Sequence, residues 1–345
     1  MADPIRYLSD TEAPRFLPDP AERVRLCQAA LAALTRRADG ADPGRADLSP
    51  KVPVAVGRGE AFAHAMPAAV QLDGLRLVGM KWIAGDPAAP PPNIGGAILL
   101  ERPGGTGLAA IVAAAGLTGA RTAAVSMAAL RAVPPRTEHV AAGGSWRVTF
   151  VGGGVQAGSH REALTAEAPD ARVRFVTRRP TQELPLQPDD EVVGPDGLAA
   201  ALQDADVVIT SVAFGTAGRE LDADRIVPGA TVVATDYATA VTARTVEGVR
   251  RHGPSAPDLP RLIVDDAPQF DVTRAAGKLP GYGPADATLG QAIADPDGLG
   301  RALRERPVGT TVVVNHLGVA VCDLAIGWGV VQAAERAGAG LELPR

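Results

Sequence analysis

The apolar run Arg147-Val148-Thr149-Phe150-Val151 breaks at Gly152-Gly153-Gly154 and resumes as Val155-Gln156-Ala157-Gly158, which reads as a strand, a tight turn and a helix start. Such a junction aims backbone N–H groups and the positive end of a helix dipole at one point, the arrangement that takes a pyrophosphate. Gly152 makes the turn and Gly154 lets phosphates approach the backbone. Ala157 stands where G-x-G-x-x-[GA] needs a small side chain for helix–strand packing. With 39 glycines in the chain, the spacing alone says little, and the strands after it say more. Apolar runs at Val173–Val176, Val207–Val212, Thr231–Thr235 and Leu262–Val264 are separated by segments long enough for crossover helices, and Thr311–Asn315 adds a last strand. This is the pattern of a parallel, doubly wound sheet. Asp265–Pro284 shows no clear periodicity.

Before the glycines the chain reads differently. Asp19 caps an amphipathic helix over Pro20–Arg37, and Gly40–Pro50 is a loop. Short strands come next at Val52–Val56, Ala61–Met66 and Leu75–Ile83, then a Pro-rich loop at Gly85–Pro92. Two more strands, Ile94–Leu100 and Leu108–Val112, flank a turn at Pro103-Gly104-Gly105. A helix begins near Thr118 and stops at Pro134-Pro135, and a long helix over Val319–Ala337 closes the chain. The expected architecture is α/β: a Rossmann-type dinucleotide-binding domain over residues 134–315. It is inserted into an α+β domain made of residues 1–133 and 316–345, which the C-terminal helix completes.

At 345 residues the chain holds two ordinary domains, and 46% hydrophobic against 21% charged residues describes a globular protein. A net charge of −5 without a basic block gives nucleic acid nothing to bind. Cys27 and Cys322 have no C-x-x-C or His spacing around them, which argues against a metal site and a disulfide framework. Both read as buried thiols in a reducing compartment. The first ten residues lack a signal-peptide core, and Leu108–Leu117, the most apolar stretch, is too short to cross a bilayer. The expectation is a cytoplasmic protein with a small-molecule substrate, no membrane and no metal.

Several residues stand where chemistry is done. Lys81 ends the apolar run Leu77-Val78-Gly79-Met80; desolvated, it donates a proton or polarises a carbonyl or imine, and otherwise it is a snorkelling surface lysine. Arg121 opens a helix of small residues, where its fork suits a carboxylate and the neighbouring Thr122 a cofactor phosphate; a surface ion pair is the alternative. Asp236 comes after Val232-Val233-Ala234-Thr235 at the carboxyl edge of the sheet, placed to exchange a proton with a substrate amine or to cap the next helix. Phe175-Val176-Thr177-Arg178-Arg179 puts arginine where NAD sites carry an acid. NADP(H) is therefore favoured, with NAD(H) possible, unless the arginines only solvate a turn. Val155, Gln156, Ser211 and Val212 complete the expected cofactor set. His316 comes after the last strand and either approaches the nicotinamide end or is a satisfied turn residue. His64, His139, His160 and His252 have no partner spacing.

Taken together, the chain resembles the ornithine cyclodeaminase/mu-crystallin family. The matching stretches are Ala65-Met66-Pro67-Ala68, Met80-Lys81-Trp82-Ile83, Thr118-Gly119-Ala120-Arg121-Thr122-Ala123-Ala124, Gly152-x-Gly154-x-Gln156-Ala157 and Cys322-Asp323-Leu324-Ala325. The resemblance implies a homodimer formed through the β-rich domain and hydride transfer between a nicotinamide and the Cα of an amino or imino acid. Arg121 and Lys51 then hold the α-carboxylate with Met66 and His316 in the substrate set, Lys81 transfers a proton, and Asp236 orients or deprotonates the amine. Cyclodeaminases of the ornithine type continue D-x-x-x-K-x-E after the aspartate, whereas this chain reads Asp236-Tyr237-Ala238-Thr239-Ala240-Val241-Thr242. Val264-Asp265-Asp266 and Gly318-Val319-Ala320-Val321-Cys322-Asp323 look more like the branch of N-(2-amino-2-carboxyethyl)-glutamate dehydrogenases of diaminopropionate biosynthesis. The resemblance also leaves open cyclodeaminase action with recycled NAD, and a mu-crystallin-like protein that binds NADPH and a small ligand.

Overall fold

A computed structural model describes residues 4–35, 46–54, 56–57, 61–72, 74–86, 88–89, 93–101, 104–105, 107–213 and 216–344. Parts of the expected N-terminal segment, the Gly40–Pro50 and Gly85–Pro92 loops, the Pro103 turn, the Val52–Val56 strand and the end of the Pro20–Arg37 helix lie outside these residues. The chain forms two compact units, residues 1–124 with 319–345 and residues 125–318.

The first unit is built on a mixed sheet. Its strands are β1 (Ile5–Leu8), β2 (Ala46–Leu48), β3 (Val52–Val54), β4 (Phe62–Leu72), β5 (Leu75–Gly85), β6 (Ile94–Glu101) and β7 (Leu108–Ala113). C-terminal β16 (Leu341–Leu343) pairs with β1, so the order is β16-β1-β7-β6-β5-β4-β2, with β3 also on β4. Helices α1 (Pro20–Leu34) and α10 (Ala320–Arg336) pack on each other and on this sheet. β4 runs on past Met66 to Leu72, further than the sequence suggested, even though Pro67 has no N–H to donate. The reason is register: β3 pairs with Ala63–Ala65 and β2 with Ala68–Val70, so Pro67 falls in the gap between them. β1, β2 and β16, three or four residues each, are too short to show an alternation, and the sequence reading missed them.

The second unit is a parallel sheet. Its strands are β8 (Arg147–Val151), β9 (Arg172–Val176), β10 (Glu191–Val193), β11 (Val207–Thr210), β12 (Thr231–Ala234), β13 (Leu262–Val264), β14 (Ala287–Thr288) and β15 (Val312–Asn315). They run in the order β10-β9-β8-β11-β12-β15-β13-β14 with every pairing parallel. The expected α/β class is what the molecule has. The inner strands are buried on both faces, which is why they read as continuous apolar runs. Connecting helices are α3 (Glu138–Ala141), α4 (Val155–Glu167), α5 (Leu198–Leu202), α6 (Ala243–Val249), α7 (Ala267–Ala275), α8 (Leu289–Ala294) and α9 (Leu299–Arg304). α7 lies in the stretch read as aperiodic: it buries only Gln269 and Phe270, too few for a stripe, and is fixed by Asp266 accepting from the Gln269 N–H. α2 (Ala115–Ala132) begins three residues before the expected Thr118.

Candidate active site

The parity of β5 decides what Lys81 is. Leu77, Lys81 and Ile83 lie on the buried face while Trp82 is exposed. Lys81 is 1% exposed, so the surface-lysine alternative is excluded. Its room comes from Gly79, where a Cβ would stand 2.9 Å from Leu324 of α10 and 2.2 Å from the Leu99 carbonyl. That close approach of α10 brings Asp323 to Lys81. Asp323 Oδ1 accepts from Lys81 Nζ at 2.8 Å and from Arg121 Nε, on α2, at 3.1 Å. Arg121 is buried as well, so it is no surface residue. Asp323 Oδ2 is buried with no hydrogen-bond partner among the described residues.

Two cations on one carboxylate oxygen set the acidity of the cluster. Burial, with the nearby charges of Arg121 and Lys51, pulls the Lys81 ammonium down to about 8 although Asp323 opposes them. Asp323 is held below the usual carboxylate range because Arg121 and Lys81 outweigh its own desolvation. Met66 is buried on β4 opposite Lys81 in the ladder, and Lys51, just before β3, is half-buried. Thr122 spends its hydroxyl proton on the Thr118 carbonyl one turn back, at 2.7 Å, leaving its oxygen only as an acceptor. Asp323 was missed as a site residue in the sequence, although its stretch carries part of the family resemblance.

In the second unit the glycines form the expected junction. Gly152 has φ 139°, and a Cβ there would come within 2.4 Å of the Ser211 carbonyl; one on Gly153 would come within 2.3 Å of Thr177 Oγ1. A Cβ on Gly154 would meet nothing, so the space over the start of α4 is open. α4 has no side chain capping its first N–H groups, and Ala157 is fully buried beneath. Open space, free donors and a helix dipole fit a dinucleotide pyrophosphate. Thr177 and Ser211, at the ends of β9 and β11, flank this turn, with Val212 half-buried next to Ser211 and Val155 exposed. Arg178 is exposed while Arg179 pairs with Glu183. Arg219, in the segment after β11, is buried; desolvation and then the charge of Arg178 pull its pKa below the usual guanidinium range, only partly offset by Asp196. Among the described residues neither Arg178 nor Arg219 makes an ion pair, which leaves an electropositive spot past the end of β9.

Asp236 lies past β12 and is 3% exposed. It does not cap the next helix; Thr242 does. Its Oδ1 accepts from the Thr239 and Ala240 N–H groups, both at 3.0 Å, around Ala238 at a left-handed φ of 55°. Its Oδ2 is buried without a well-formed hydrogen bond. Burial holds the acid above its ordinary range despite the nearby Thr210 hydroxyl and the loop N–H groups. His316 is 1% exposed and donates its backbone N–H to the Ala234 carbonyl at 3.0 Å, while Ser126 Oγ is 2.9 Å from both His316 Nε2 and His160 Nε2. Neither Ser126 nor His160 was singled out in the sequence. Among the described residues no group of His, Cys, Asp or Glu could hold a metal ion, and no helix is long and apolar enough to cross a membrane.

Known structures share this architecture. CmnK superposes with a TM-score of 0.73 at 22% identity over 99% of both chains. Delta(1)-pyrroline-2-carboxylate reductase of Thermococcus litoralis, solved with NADH and L-proline, gives 0.73 at 16% identity over 98% of this chain and 99% of that one. Iminosuccinate reductase of Paracoccus denitrificans, solved with NAD+, gives 0.73 at 19% identity over 99% and 100%. At such identities these likenesses establish the fold. No curated protein sequence matches. The model of the ornithine cyclodeaminase/mu-crystallin family matches residues 21–240, and the chain therefore belongs to the ornithine cyclodeaminase/mu-crystallin family.

Proposed function

We propose that the protein is an NAD(P)-dependent oxidoreductase acting at the Cα–N bond of an amino or imino acid, a secondary-amine dehydrogenase or imine reductase. The observation that carries this is the buried Lys81–Asp323–Arg121 cluster. It keeps one guanidinium for a carboxylate and one ammonium with a pKa of about 8, close to where a proton donor works best at neutral pH.

Within the first unit, Arg121 and Lys51 hold the substrate α-carboxylate. Lys81 would hold a proton at Nζ for the imine nitrogen in the reductive direction and take one back in the reverse direction. Met66, beside Lys81 in the ladder, is the apolar member of the substrate set, and Thr122 offers its hydroxyl oxygen to the cofactor. Within the second unit, the N–H groups that come after Gly152 and Gly154, with Val155 and Gln156, take the pyrophosphate. Thr177, Ser211 and Val212 line it. A nicotinamide dinucleotide bound there supplies or accepts the hydride. Asp236, held above its ordinary range, exchanges a proton with the substrate amine. NADP(H) is preferred because Arg178 and Arg219 supply two unneutralised guanidiniums for a 2′-phosphate.

The segment after Asp236 carries no charge for a distal amine, which favours the dehydrogenase branch of diaminopropionate biosynthesis over ornithine or lysine cyclisation. A homodimer through the first unit belongs to the reading; Val52, Val54 and Trp82, on one face by strand register, are exposed apolar side chains that suit it. The test measures reduced-cofactor absorbance while amino and imino acids are offered. Substrate-dependent change supports the reading. Ammonia release with no net change indicates cyclisation, and tight NADPH binding without turnover indicates a mu-crystallin-like binder.

A further inference from the structure

The residues from Asp236 to Val241 form a loop that is held against its own preference. Ala238 has a left-handed φ of 55°, and among the described residues it is the one non-glycine with a positive φ. A Cβ makes that conformation costly, so the loop keeps it only because bonds elsewhere fix it. Asp236 itself supplies some of them, its Oδ1 accepting from the Thr239 and Ala240 N–H groups at 3.0 Å. Leu221 donates its N–H to the Ala240 carbonyl at 2.8 Å. The end of the loop is caught from further along the chain, where Tyr282 donates its hydroxyl proton to the Val241 carbonyl.

Tyr282 is held rigidly for that contact. It lies between α7 and β14, in the stretch whose sequence shows no clear periodicity, and is 5% exposed. Its ring stands edge-on to Phe270, with centroids 5.9 Å apart and planes at 69°. Burial and the charge of Asp236 raise the phenol above its ordinary value, opposed by the Asn315 amide, which forms no good hydrogen bond with it. The hydroxyl therefore keeps its proton, and a carbonyl can only accept it. Val241 is fully buried, so without that proton a strained loop would end on an unpaired acceptor.

The consequence falls on Asp236. The loop N–H groups converge on Oδ1 while Ala238 stays left-handed, which commits that oxygen to the backbone. Oδ2 is buried without a well-formed hydrogen bond and is the oxygen left for chemistry. We infer that Tyr282 is a positioning residue: through the Val241 carbonyl it latches the strained 236–241 loop, so that Asp236 works on the reacting amine through Oδ2 alone. The reaction in this statement rests on the proposed oxidoreductase reading; the latch does not.

The experiment is hydrogen exchange of the whole chain, read by mass spectrometry of peptides spanning residues 236–242. It compares wild type, Tyr282→Phe, Ala238→Gly and the double variant. Tyr282→Phe keeps the ring against Phe270 and deletes only the hydroxyl. It should speed exchange in this peptide about tenfold or more, the effect of one unpaired buried acceptor, while peptides from β8 and α4 exchange as in wild type. Ala238→Gly removes the strain that the latch opposes, so in that background Tyr282→Phe should speed exchange no more than about threefold. Unchanged exchange in Tyr282→Phe overturns the inference, as does an undiminished effect beside Ala238→Gly or a loss of protection spread over the whole unit. Once a substrate is in hand, Tyr282→Phe should lower kcat about tenfold through misplacement of Asp236. KM and NADPH affinity should stay near wild type, and adding Ala238→Gly should restore most of the kcat. A wild-type kcat, or a matching loss of cofactor affinity, overturns the positioning role. If wild type turns over no amino or imino acid, the oxidoreductase reading fails and the exchange pattern still decides the latch.

Discussion

Replacing Asp323 with Asn removes one charge and almost no volume, and the structure says what that costs. Asp323 Oδ1 serves Lys81 at 2.8 Å and Arg121 at 3.1 Å, and the three side chains are 0%, 1% and 6% exposed. Breaking a buried ion pair typically costs about 3–5 kcal/mol, because an uncompensated charge stays behind; here two would stay. The loss is capped because Lys81 can shed its proton. With a folded value of about 8, neutralising it at pH 7 costs only about 1.4 kcal/mol even in the intact cluster. The variant should therefore unfold about 3 kcal/mol more easily at pH 7, with Lys81 largely neutral. The pH dependence has a definite sign. The folded wild type holds the Lys81 proton up to about 8 and the folded variant loses it earlier. Between those values wild type binds more protons, and its advantage shrinks as pH rises toward 9. Activity in the reductive direction, which needs the ammonium, should fall through about 8 in wild type and at lower pH in the variant, with kcat at pH 7 reduced. Urea titrations at pH 7 and 9 and a pH–rate profile measure both. An Asp323→Asn protein with the wild-type midpoint and an unmoved basic limb would refute the argument.

Three further outcomes are expected. Gly152→Ala puts a methyl group against the Ser211 carbonyl at a φ few side chains tolerate, so dinucleotide affinity by calorimetry should drop tenfold or more; unchanged affinity would mean that the turn does not hold the cofactor. Arg178→Glu should lower affinity for NADPH at least tenfold while leaving NADH within about threefold, and Arg219→Gln should act in the same sense; equal losses for both cofactors would reject a 2′-phosphate site. His160 titrates near 4 folded and about 6.5 unfolded, so the unfolded chain binds more protons in that window and stability falls as pH drops through it, by about 2 kcal/mol between pH 7 and 5. His160→Gln should flatten that slope in denaturation curves, and an unaltered slope would show that another group is responsible.

What the sequence shows well is whatever a few neighbouring residues decide. The glycine junction, the both-faces-buried strands and the Asp19 cap are local, and all appear in the molecule. The capping alternative for Asp236 failed on local grounds as well: its Oδ1 is spent on the Thr239 and Ala240 N–H groups, and Thr242 does the capping. The polar networks were invisible for a different reason. Asp323 meets Lys81 across 242 positions and Arg121 across 202, and His316 meets Ser126 across 190; no spacing rule reaches so far.

A signal for the first network was nevertheless present. Alternation along Leu77, Gly79, Lys81 and Ile83 puts an ammonium on the core face of β5, where it cannot stay charged without a counter-ion. The C-terminal helix from Ala320 to Ala334 contains a single charged residue, Asp323, set among side chains that must be buried. A cation at core parity and a lone carboxylate on an apolar helix pose the same problem with opposite signs, and one contact solves both. Pairing them requires only that the helix cover the sheet, which Gly79 allows by letting Leu324 approach. Buried charge is thus readable as an unmet demand: the sequence states that a partner is needed, and helix–sheet packing decides which residue answers.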